Sequence, residues 1–273
     1  MQQRRVFISA GTSRYDGVKN YKGGIVLQHS NTIELRVWGR YALFSDPITR
    51  VGGEKCSYPV PTYQAIKGIL ESCYWKPTFV WVPDEVRIMN PIETESKGIR
   101  PVVFSKGAND LSIYTYLVNV EYQVRAHFEW NLSRPDLEAD RNENKHFFIA
   151  KRMLERGGRR DVFLGTRECQ GYIEPCKFGE GTSVYDNTPP VPLGLMLHGL
   201  TYADEDGSGW MSERLWRPVM ENGIIRFVRP EECPVIRPIR KQKTKEFVLE
   251  KNIQSCEALY EEVTGDGVDT ALL

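Results

Sequence analysis

The stretch EYQVRAHFEW, residues 121 to 130, alternates between apolar and polar side chains at every position. Its even-numbered residues are Tyr, Val, Ala, Phe and Trp, whereas its odd-numbered residues are polar or charged. Since successive side chains of a strand point to opposite faces, this alternation predicts a half-buried β-strand. The fold is therefore expected to be built around a sheet that packs one face against a core.

An amphipathic helix is predicted upstream of this strand. Thr62 is a suitable N-cap residue, and the helix must end before Pro77, because proline cannot continue it. The apolar residues between them follow the i, i+3, i+4, i+7 spacing that places side chains on one helix face. These residues are Ile66, Ile69, Leu70 and Cys73.

A second helix is predicted downstream of the strand, beginning between Pro135 and Asn142. It carries apolar residues at helical spacing and ends at Gly157 and Gly158, which can adopt the left-handed conformation of a helix C-cap. Shorter apolar runs on either side of the two helices predict further strands. They are residues 32–38, residues 78–82, and the stretches DVFLG and ECQGYIEPC.

The predicted order is strand, helix, strand, strand, helix, strand. This is the β-α-β-β-α-β pattern of ferredoxin-like (RRM-like) α+β folds, and it is assigned to residues 31–190. An Asn-Gly pair between two strand-like runs predicts a hairpin within residues 191–250, which are assigned to a smaller C-terminal antiparallel β lobe. Residues 1–30 are expected to be an extension that is poorly ordered or of uncertain role, and residues 251–273 an acidic tail.

The composition is that of a globular protein. Of 273 residues, 41% are hydrophobic, and 36 basic side chains balance 36 acidic ones. The net charge is zero and does not favour binding of a polyanion such as a nucleic acid, so any binding site for one must be a local basic patch. The six cysteines are scattered without a Cys-x-x-Cys motif, and no apolar run reaches membrane-spanning length. The chain is therefore expected to be cytoplasmic, with no membrane partner.

Lys145 and His146 lie side by side where the second helix begins. In the predicted topology the two helices are antiparallel, so the end of the first helix, with Tyr74, lies beside them. An imidazole exchanges protons near neutral pH, a lysine supplies a fixed positive charge, and a phenol donates or accepts a proton. These groups suit RNA cleavage by attack of a 2′-hydroxyl on the adjacent phosphorus. The reaction needs neither a metal nor a cofactor.

A structural interpretation of the same residues stays open. A Lys-His pair at a helix start is commonly a solvated polar surface, and Tyr74 would then pack in a core or an interface. Segment 156–160 is either an ordinary C-cap with exposed arginines or a contact for a nucleic-acid backbone, and Lys76 is equally ambiguous. The remaining histidines show no metal-ligand spacing and are expected to be structural: His29, His127 and His198.

Five stretches of the chain carry a family resemblance, in order, between about residues 31 and 230. They are GRYALFSDPITRVGGEK, SYPVPTYQAIKGILESCYWKPTFVW, ESKGIRPV, NKHFFIAKRMLERGGRRDVFLGTRECQGYIEPCKFG and LGLMLHGLTY. Together they closely resemble the CRISPR-associated Cas5 proteins of subtype I-C, members of the RAMP superfamily. The resemblance implies a ferredoxin-like domain with a small β-rich lobe. It also implies an endoribonuclease that cuts precursor CRISPR RNA at the base of the repeat hairpin.

The resemblance extends to the reaction, the partners and the residues. It implies metal-independent cleavage that leaves a 5′-hydroxyl and a 2′,3′-cyclic phosphate, with no cofactor. It also implies that the protein stays bound to the 5′ handle of the guide RNA, with other subunits of the subtype I-C interference complex (Cascade). The family's catalytic residues fall on Tyr74 in CYWKP and on Lys145 and His146 in NKHFF. Its glycine-rich loop falls on GGRRDVFLG. The candidate RNA-binding residues are Lys76, Gly157, Gly158, Arg159 and Arg160.

Two other functions stay open. Relatives in other CRISPR subtypes cap the handle of the guide while a separate protein cuts, so the main alternative is a non-catalytic, handle-capping structural subunit. A metal-dependent nuclease with some activity on DNA is a third candidate, although no carboxylate cluster of the required kind stands out in the sequence.

Overall fold

The computed structural model describes residues 18–21, 24–27, 30–47, 49, 53–100 and 111–243. Within them, the α-helices are α1 (Tyr63–Cys73), α2 (Glu143–Glu155) and α3 (Ala203–Asp206), and 3-10 helices span Pro135–Asp140 and Pro230–Glu232. The strands are β1 (Val18–Tyr21), β2 (Gly24–Leu27), β3 (Ile33–Ala42), β4 (Lys55–Cys56), β5 (Phe79–Ile88), β6 (Thr94–Ile99), β7 (Ser112–Trp130), β8 (Val162–Phe163), β9 (Gln170–Pro175), β10 (Val191–Pro192), β11 (Met196–Thr201), β12 (Trp210–Trp216), β13 (Val219–Glu221), β14 (Ile224–Arg226) and β15 (Val235–Lys241).

The main sheet is organised around the long strand β7, which contains the alternating stretch 121–130. Its strands lie in the order β10-β13-β14-β5-β7-β3-β9-β8, and each neighbouring pair is antiparallel. The first part of β7 also pairs with β6 and, in parallel, with β4. The fold is thus mixed α/β and rich in antiparallel sheet, which confirms the predicted class at that level.

The two faces of β7 differ, as the alternation predicts, but neither is simply solvent-exposed. Tyr122 and Val124 are buried in the core. On the opposite face Gln123 and His127 are buried as well. His127 Nδ1 lies 2.9 Å from the Asp84 carboxylate, and the side-chain amide of Gln123 donates to the carbonyl of Glu180. Ion pairs and a distant loop therefore cover the polar face.

Helix α1 begins and packs as predicted. The hydroxyl of Thr62 accepts a hydrogen bond of 3.1 Å from the backbone N–H of Ala65, which satisfies one of the free donors of the first turn. The predicted apolar stripe, including Ile66 and Leu70, is buried in the core. The helix ends at Cys73, so Tyr74 is its C-cap residue.

Helix α2 has well-defined caps at both ends. The side chain of Asn142 accepts a hydrogen bond from the backbone N–H of Lys145. At the other end the N–H of Gly157 donates to Leu154, and the N–H of Gly158 donates to Met153. This bond pattern is the Schellman motif, and the positive φ angles of 80° and 105° at the two residues are those that glycine adopts without strain.

Residues beyond 190 contribute to two sheets. Strands β11, β12 and β15 form a separate three-stranded antiparallel sheet, whereas β10, β13 and β14 extend the main sheet beyond β5. The predicted hairpin is present between β13 and β14. Its turn residues Asn222 and Gly223 both have positive φ, as a type I′ turn requires. Trp216 and Ile225 join the same hydrophobic core as α1.

The ends of the chain are described only in part. The expectation for residues 1–30 falls mostly outside the described residues, but β1 and β2 pair as an antiparallel hairpin within that range. The predicted acidic tail, residues 251–273, lies wholly outside the described residues. No helix in the described part of the chain is long and apolar enough to cross a membrane.

Candidate active site

The end of α1 and the start of α2 meet at one point of the molecule. The phenol oxygen of Tyr74 lies 2.9 Å from Nδ1 of His146, although 72 positions separate the two residues in the chain. Lys145 precedes His146 in the first turn of α2. The structure thus places the three candidate catalytic residues together, as antiparallel helices require.

The hydrogen bonds of His146 fix the tautomer of its neutral ring. Nε2 lies 2.8 Å from the backbone carbonyl oxygen of Asp140. A carbonyl oxygen only accepts, so Nε2 must carry the proton and donate it. In the neutral imidazole Nδ1 is then free to accept, and the hydroxyl of Tyr74 donates to it. The phenol proton of Tyr74 therefore points at a basic nitrogen, Nδ1 of His146.

Both rings of this pair are buried. His146 is 0% and Tyr74 is 2% exposed to solvent. The ring centroids of Phe79 and Trp130 lie 5.3 and 5.9 Å from that of His146, so aromatic side chains enclose the imidazole. Burial raises the pKa of Tyr74, and the charge of Asp140 raises it further. The phenol therefore keeps its proton at neutral pH.

Lys145 is the accessible member of the group. Its side chain is 49% exposed, and its ammonium lies 2.5 Å from Oδ1 of Asp140. The other carboxylate oxygen of Asp140 accepts a hydrogen bond of 2.6 Å from the hydroxyl of Thr78. The hydrogen bonds from Lys145 and Thr78 lower the pKa of Asp140 to about 2. The carboxylate is therefore ionised at any pH at which the protein is expected to work.

Sequence reasoning missed both Asp140 and Thr78. Asp140 lies five residues before Lys145 and ends the 3-10 helix Pro135–Asp140. Thr78 immediately precedes β5. An aspartate close to a Lys-His pair was a visible signal. The sequence did not show that the side chain of Asp140 points at Lys145 and His146, because this depends on how the 3-10 helix packs against the start of α2.

The loop 157–160 lies directly against the end of α1. The backbone N–H of Arg159 donates to the carbonyls of Ser72 and Cys73, and that of Arg160 donates to Ser72. These bonds satisfy carbonyl groups that the last turn of α1 leaves without a partner. Both arginine side chains are exposed, and the charge of Arg159 acts to lower the pKa of Tyr74.

The candidate RNA-binding residues lie near the end of α1, and the two glycines among them lie at the opposite end of α2 from Lys145 and His146. Gly157 and Gly158 form the C-cap of α2, and Arg159 and Arg160 follow them against α1. Lys76 is exposed two residues after Tyr74. This surface combines cations with backbone that lacks side chains, a combination that lets a phosphate chain approach closely.

The other histidines are placed away from this group. His198 is buried and stacked on Tyr63, with 4.2 Å between ring centroids. Burial and the charge of Arg214 lower the pKa of His198 to about 3. Burial alone would lower the pKa of His127, but the carboxylates of Asp84 and Glu129 raise it to about 9. His29 lies outside the described residues.

Within the described ranges, no group of three or more His, Cys, Asp or Glu side chains is arranged to hold a metal ion. The carboxylate of Asp140 is engaged by Lys145 and Thr78.

Comparison with known proteins shows the family of this chain. The family model described as CRISPR-associated protein (Cas_Cas5), of the Cas5d type, matches residues 32–228. The chain therefore belongs to the CRISPR-associated Cas5 family, and within it to the Cas5d proteins of subtype I-C. The match spans β3 to β14. It therefore includes the loop 157–160 and the three candidate catalytic residues Tyr74, Lys145 and His146, referred to below as the trio.

Individual relatives support the same family. A protein named CRISPR pre-crRNA endoribonuclease Cas5d from Mannheimia succiniciproducens is 27% identical over 234 residues, or 72% of this chain and 94% of the relative. A protein of the same name from Thermus thermophilus is 32% identical over 185 residues, or 64% of this chain and 76% of the relative. A crystal structure of a CRISPR-associated protein is 36% identical, with a TM-score of 0.65, and covers 76% of this chain and 96% of its own.

Proposed function

We propose that this chain is an endoribonuclease that cleaves precursor CRISPR RNA at the base of the repeat hairpin. The names of the two curated relatives support the substrate and the reaction class. The observation that carries the proposal is the hydrogen bond of 2.9 Å between Tyr74 and His146, with Lys145 next to His146 in the first turn of α2. The enzyme is a hydrolase-class nuclease that acts on phosphodiester bonds of RNA.

The geometry supports a metal-independent reaction in which the RNA supplies the nucleophile. The phenol oxygen of Tyr74 takes the proton of the 2′-hydroxyl while its own proton passes to Nδ1 of His146. The 2′-oxygen bonds to the phosphorus, the bond to the 5′-oxygen breaks, and that oxygen takes a proton from water. The hydroxide that results takes the proton from His146, which returns the imidazole to its neutral form. The products are a 2′,3′-cyclic phosphate and a 5′-hydroxyl. Lys145 stabilises the extra negative charge of the phosphorane.

The candidate RNA-binding residues would hold the substrate at this point. Arg159 and Arg160 are exposed beside the end of α1, and Lys76 is exposed just beyond Tyr74. Gly157 and Gly158 expose backbone to which a phosphate can come close. After cleavage the same contacts keep the protein on the 5′ handle of the guide RNA, among the other subunits of the interference complex.

The fold assignment can be taken one step further. The element order β3-α1-β5-β7-α2-β9 and the spatial order β5-β7-β3-β9, with antiparallel neighbours, support a ferredoxin-like arrangement of residues 31–190. We propose that this RAMP domain carries the trio. Residues 191–250 would form the smaller β-rich lobe, although three of its strands lie in the main sheet.

One observation favours the alternative function of a non-catalytic subunit that caps the guide-RNA handle. Tyr74 and His146 are buried in the free protein, and only Lys145 is open to solvent. For cleavage, the bound RNA must open a path to the phenol. A capping subunit would need no such path, because its contacts with RNA would all lie on the surface.

The decisive experiment is cleavage of the repeat hairpin RNA by the purified chain in EDTA. We expect one cut at the base of the stem, no cut when the scissile nucleotide lacks its 2′-hydroxyl, and loss of cutting with retained binding for His146→Ala. Binding without cutting by the unaltered chain would establish the capping subunit instead. Cutting of the 2′-deoxy substrate would show that an activated water, and not the RNA, is the nucleophile.

A further inference from the structure

Asp140 connects the members of the candidate site to one another. Its carboxylate contacts the ammonium of Lys145 and the hydroxyl of Thr78, and Oδ2 lies 3.4 Å from Nε2 of His146. Its backbone carbonyl accepts the hydrogen bond of that same Nε2. One residue therefore contacts both Lys145 and His146, through its carboxylate and its backbone carbonyl.

We propose that Asp140 is a positioning residue, which aligns the imidazole of His146 with the phenol of Tyr74 and holds the ammonium of Lys145 beside them. This inference rests on the proposed function and adds a fourth residue to it. Asp140 touches no reacting atom in this arrangement. It acts through the two residues that do.

The backbone and the side chain of Asp140 have separate tasks. The carbonyl fixes the proton of the neutral imidazole on Nε2, so that Nδ1 faces the Tyr74 hydroxyl as an acceptor. The carboxylate matters after the proton transfer, when His146 becomes an imidazolium. A fixed negative charge next to Nε2 then stabilises the charged ring at a site that is buried from solvent.

The carboxylate also restrains Lys145. A half-exposed lysine has considerable rotamer freedom, and the ion pair with Asp140 holds its ammonium at the start of α2. The carboxylate is itself held, because the hydroxyl of the buried Thr78 donates to its other oxygen. Thr78 precedes Phe79, whose ring packs on the imidazole. The contacts that position Lys145 through Asp140 and Thr78 are thus anchored in the hydrophobic core.

Uncharged side chains make up most of the described surroundings of the His146 imidazole. The imidazole is surrounded by Tyr74, Asp140 and the uncharged rings of Phe79, Phe128 and Trp130. Lys145 is the cation beside Asp140, and Arg159 acts on Tyr74 from the loop that caps α1. Asp140 is therefore the carboxylate that His146 faces within the described residues, and removal of its charge should be felt directly by the imidazole.

Asp140→Asn removes the charge and keeps both the backbone carbonyl and an oxygen that accepts from Thr78. We expect the single-turnover cleavage rate to fall by about tenfold to hundredfold, less than the loss of a proton-transfer group itself. RNA affinity should be unchanged or higher, because one negative charge near the phosphate is gone. The pH dependence of the rate should also change, because the negative charge 3.4 Å from Nε2 of His146 is gone.

Asp136→Asn is the matched control. Asp136 lies on the same 3-10 helix, is exposed, and pairs with Arg134 rather than with the trio. The Asp136→Asn variant should cleave RNA at the rate of the unaltered chain, with the same pH profile. Equal cleavage by Asp140→Asn and the unaltered chain, or a loss in rate with no shift of the profile, would overturn the positioning role.

A measurement without RNA separates this inference from the proposed function. The ring nitrogen signals of His146 are compared by NMR between the unaltered protein and Asp140→Asn, both free of RNA. The Nε2–H signal should shift, because the carboxylate 3.4 Å from Nε2 has lost its charge, while Nε2 stays the protonated nitrogen. Identical signals would show that Asp140 does not act on His146, whatever the chain cleaves. A chain that fails to cut RNA while the two sets of signals differ would instead contradict the nuclease.

Discussion

The indole N–H of Trp81 donates a hydrogen bond of 2.7 Å to the backbone carbonyl of Tyr74. Trp81 is buried in the middle of the core, on β5. Its bond holds the residue that follows α1, where the helix no longer supplies a partner for the carbonyl. The position of the candidate catalytic phenol therefore depends on a core residue that no RNA would touch.

Trp81→Phe should show this dependence. The substitution leaves a buried carbonyl without its donor and a gap in the core, so the free energy of unfolding should fall by about 2–4 kcal/mol. Cleavage by the folded fraction should fall too, because the phenol loses its fixed position. Chemical denaturation and single-turnover cleavage of the same sample check both effects. Unchanged cleavage by a destabilised variant would show that Tyr74 is held by other contacts.

Tyr74→Phe tests the proton relay with the ring packing intact. Removal of the hydroxyl leaves Nδ1 of His146 buried without its donor, which should cost about 1–2 kcal/mol of stability. The cleavage rate should fall by about a hundredfold to ten-thousandfold, as expected for a proton-transfer group. Tyr172→Phe is the control, because Tyr172 is an exposed tyrosine on β9. Similar rates for the two variants would remove Tyr74 from the mechanism.

Lys145→Ala should separate catalysis from stability. The ion pair with Asp140 is half-exposed, so its loss should cost no more than about 1 kcal/mol. The rate should nevertheless fall strongly, because the phosphorane loses a positive charge beside it. Lys151→Ala, which removes an exposed lysine from the same helix, should keep the full rate. Thermal melting and single-turnover kinetics on both variants are the measurements.

The paired substitution of Arg159 and Arg160 by Ala should weaken RNA binding and leave the fold intact. Their backbone N–H groups cap α1 whatever side chains they carry. The logarithm of RNA affinity should depend less steeply on the logarithm of salt concentration, by about two units for two lost phosphate contacts. Arg217→Ala, a substitution of an exposed arginine beyond β12, serves as the control. An unchanged salt dependence would place the RNA elsewhere.

Stability should decrease at alkaline pH because of His127. Its pKa in the folded protein is raised to about 9 by the Asp84 and Glu129 carboxylates, against burial, which acts in the opposite direction. The stabilisation is therefore complete below the unfolded value of about 6.5 and is lost as pH rises through 9, with a total of about 3 kcal/mol. Urea unfolding between pH 6 and pH 10 measures it. His127→Gln should flatten the curve.

Local signals in the sequence were sufficient for the elements that build the site. Thr62 as a cap, the alternation in 121–130 and the glycines after α2 all act through neighbours in the chain, and the structure contains each of them. The contact between Tyr74 and His146 followed from topology, because antiparallel helices bring one end beside another start.

Other features depend on contacts between distant segments. Asp140 reaches Thr78 across 62 positions, and the carbonyl of Glu180 covers Gln123 across 57. The pairing of Ile224 with Arg87, which adds β14 to the main sheet, has no local signature either. No spacing rule links such residues, so they become visible only when the chain is folded.

The way in which the loop 157–160 caps α1 determines which substitutions this surface can tolerate during evolution. Its attachment uses only main-chain atoms, and the arginine side chains extend outward from it. Under the proposed function, substitutions at these two positions can therefore change how strongly the protein holds the RNA backbone while the helix end beneath them keeps its shape. The strength of RNA binding and the cleavage chemistry can then evolve independently.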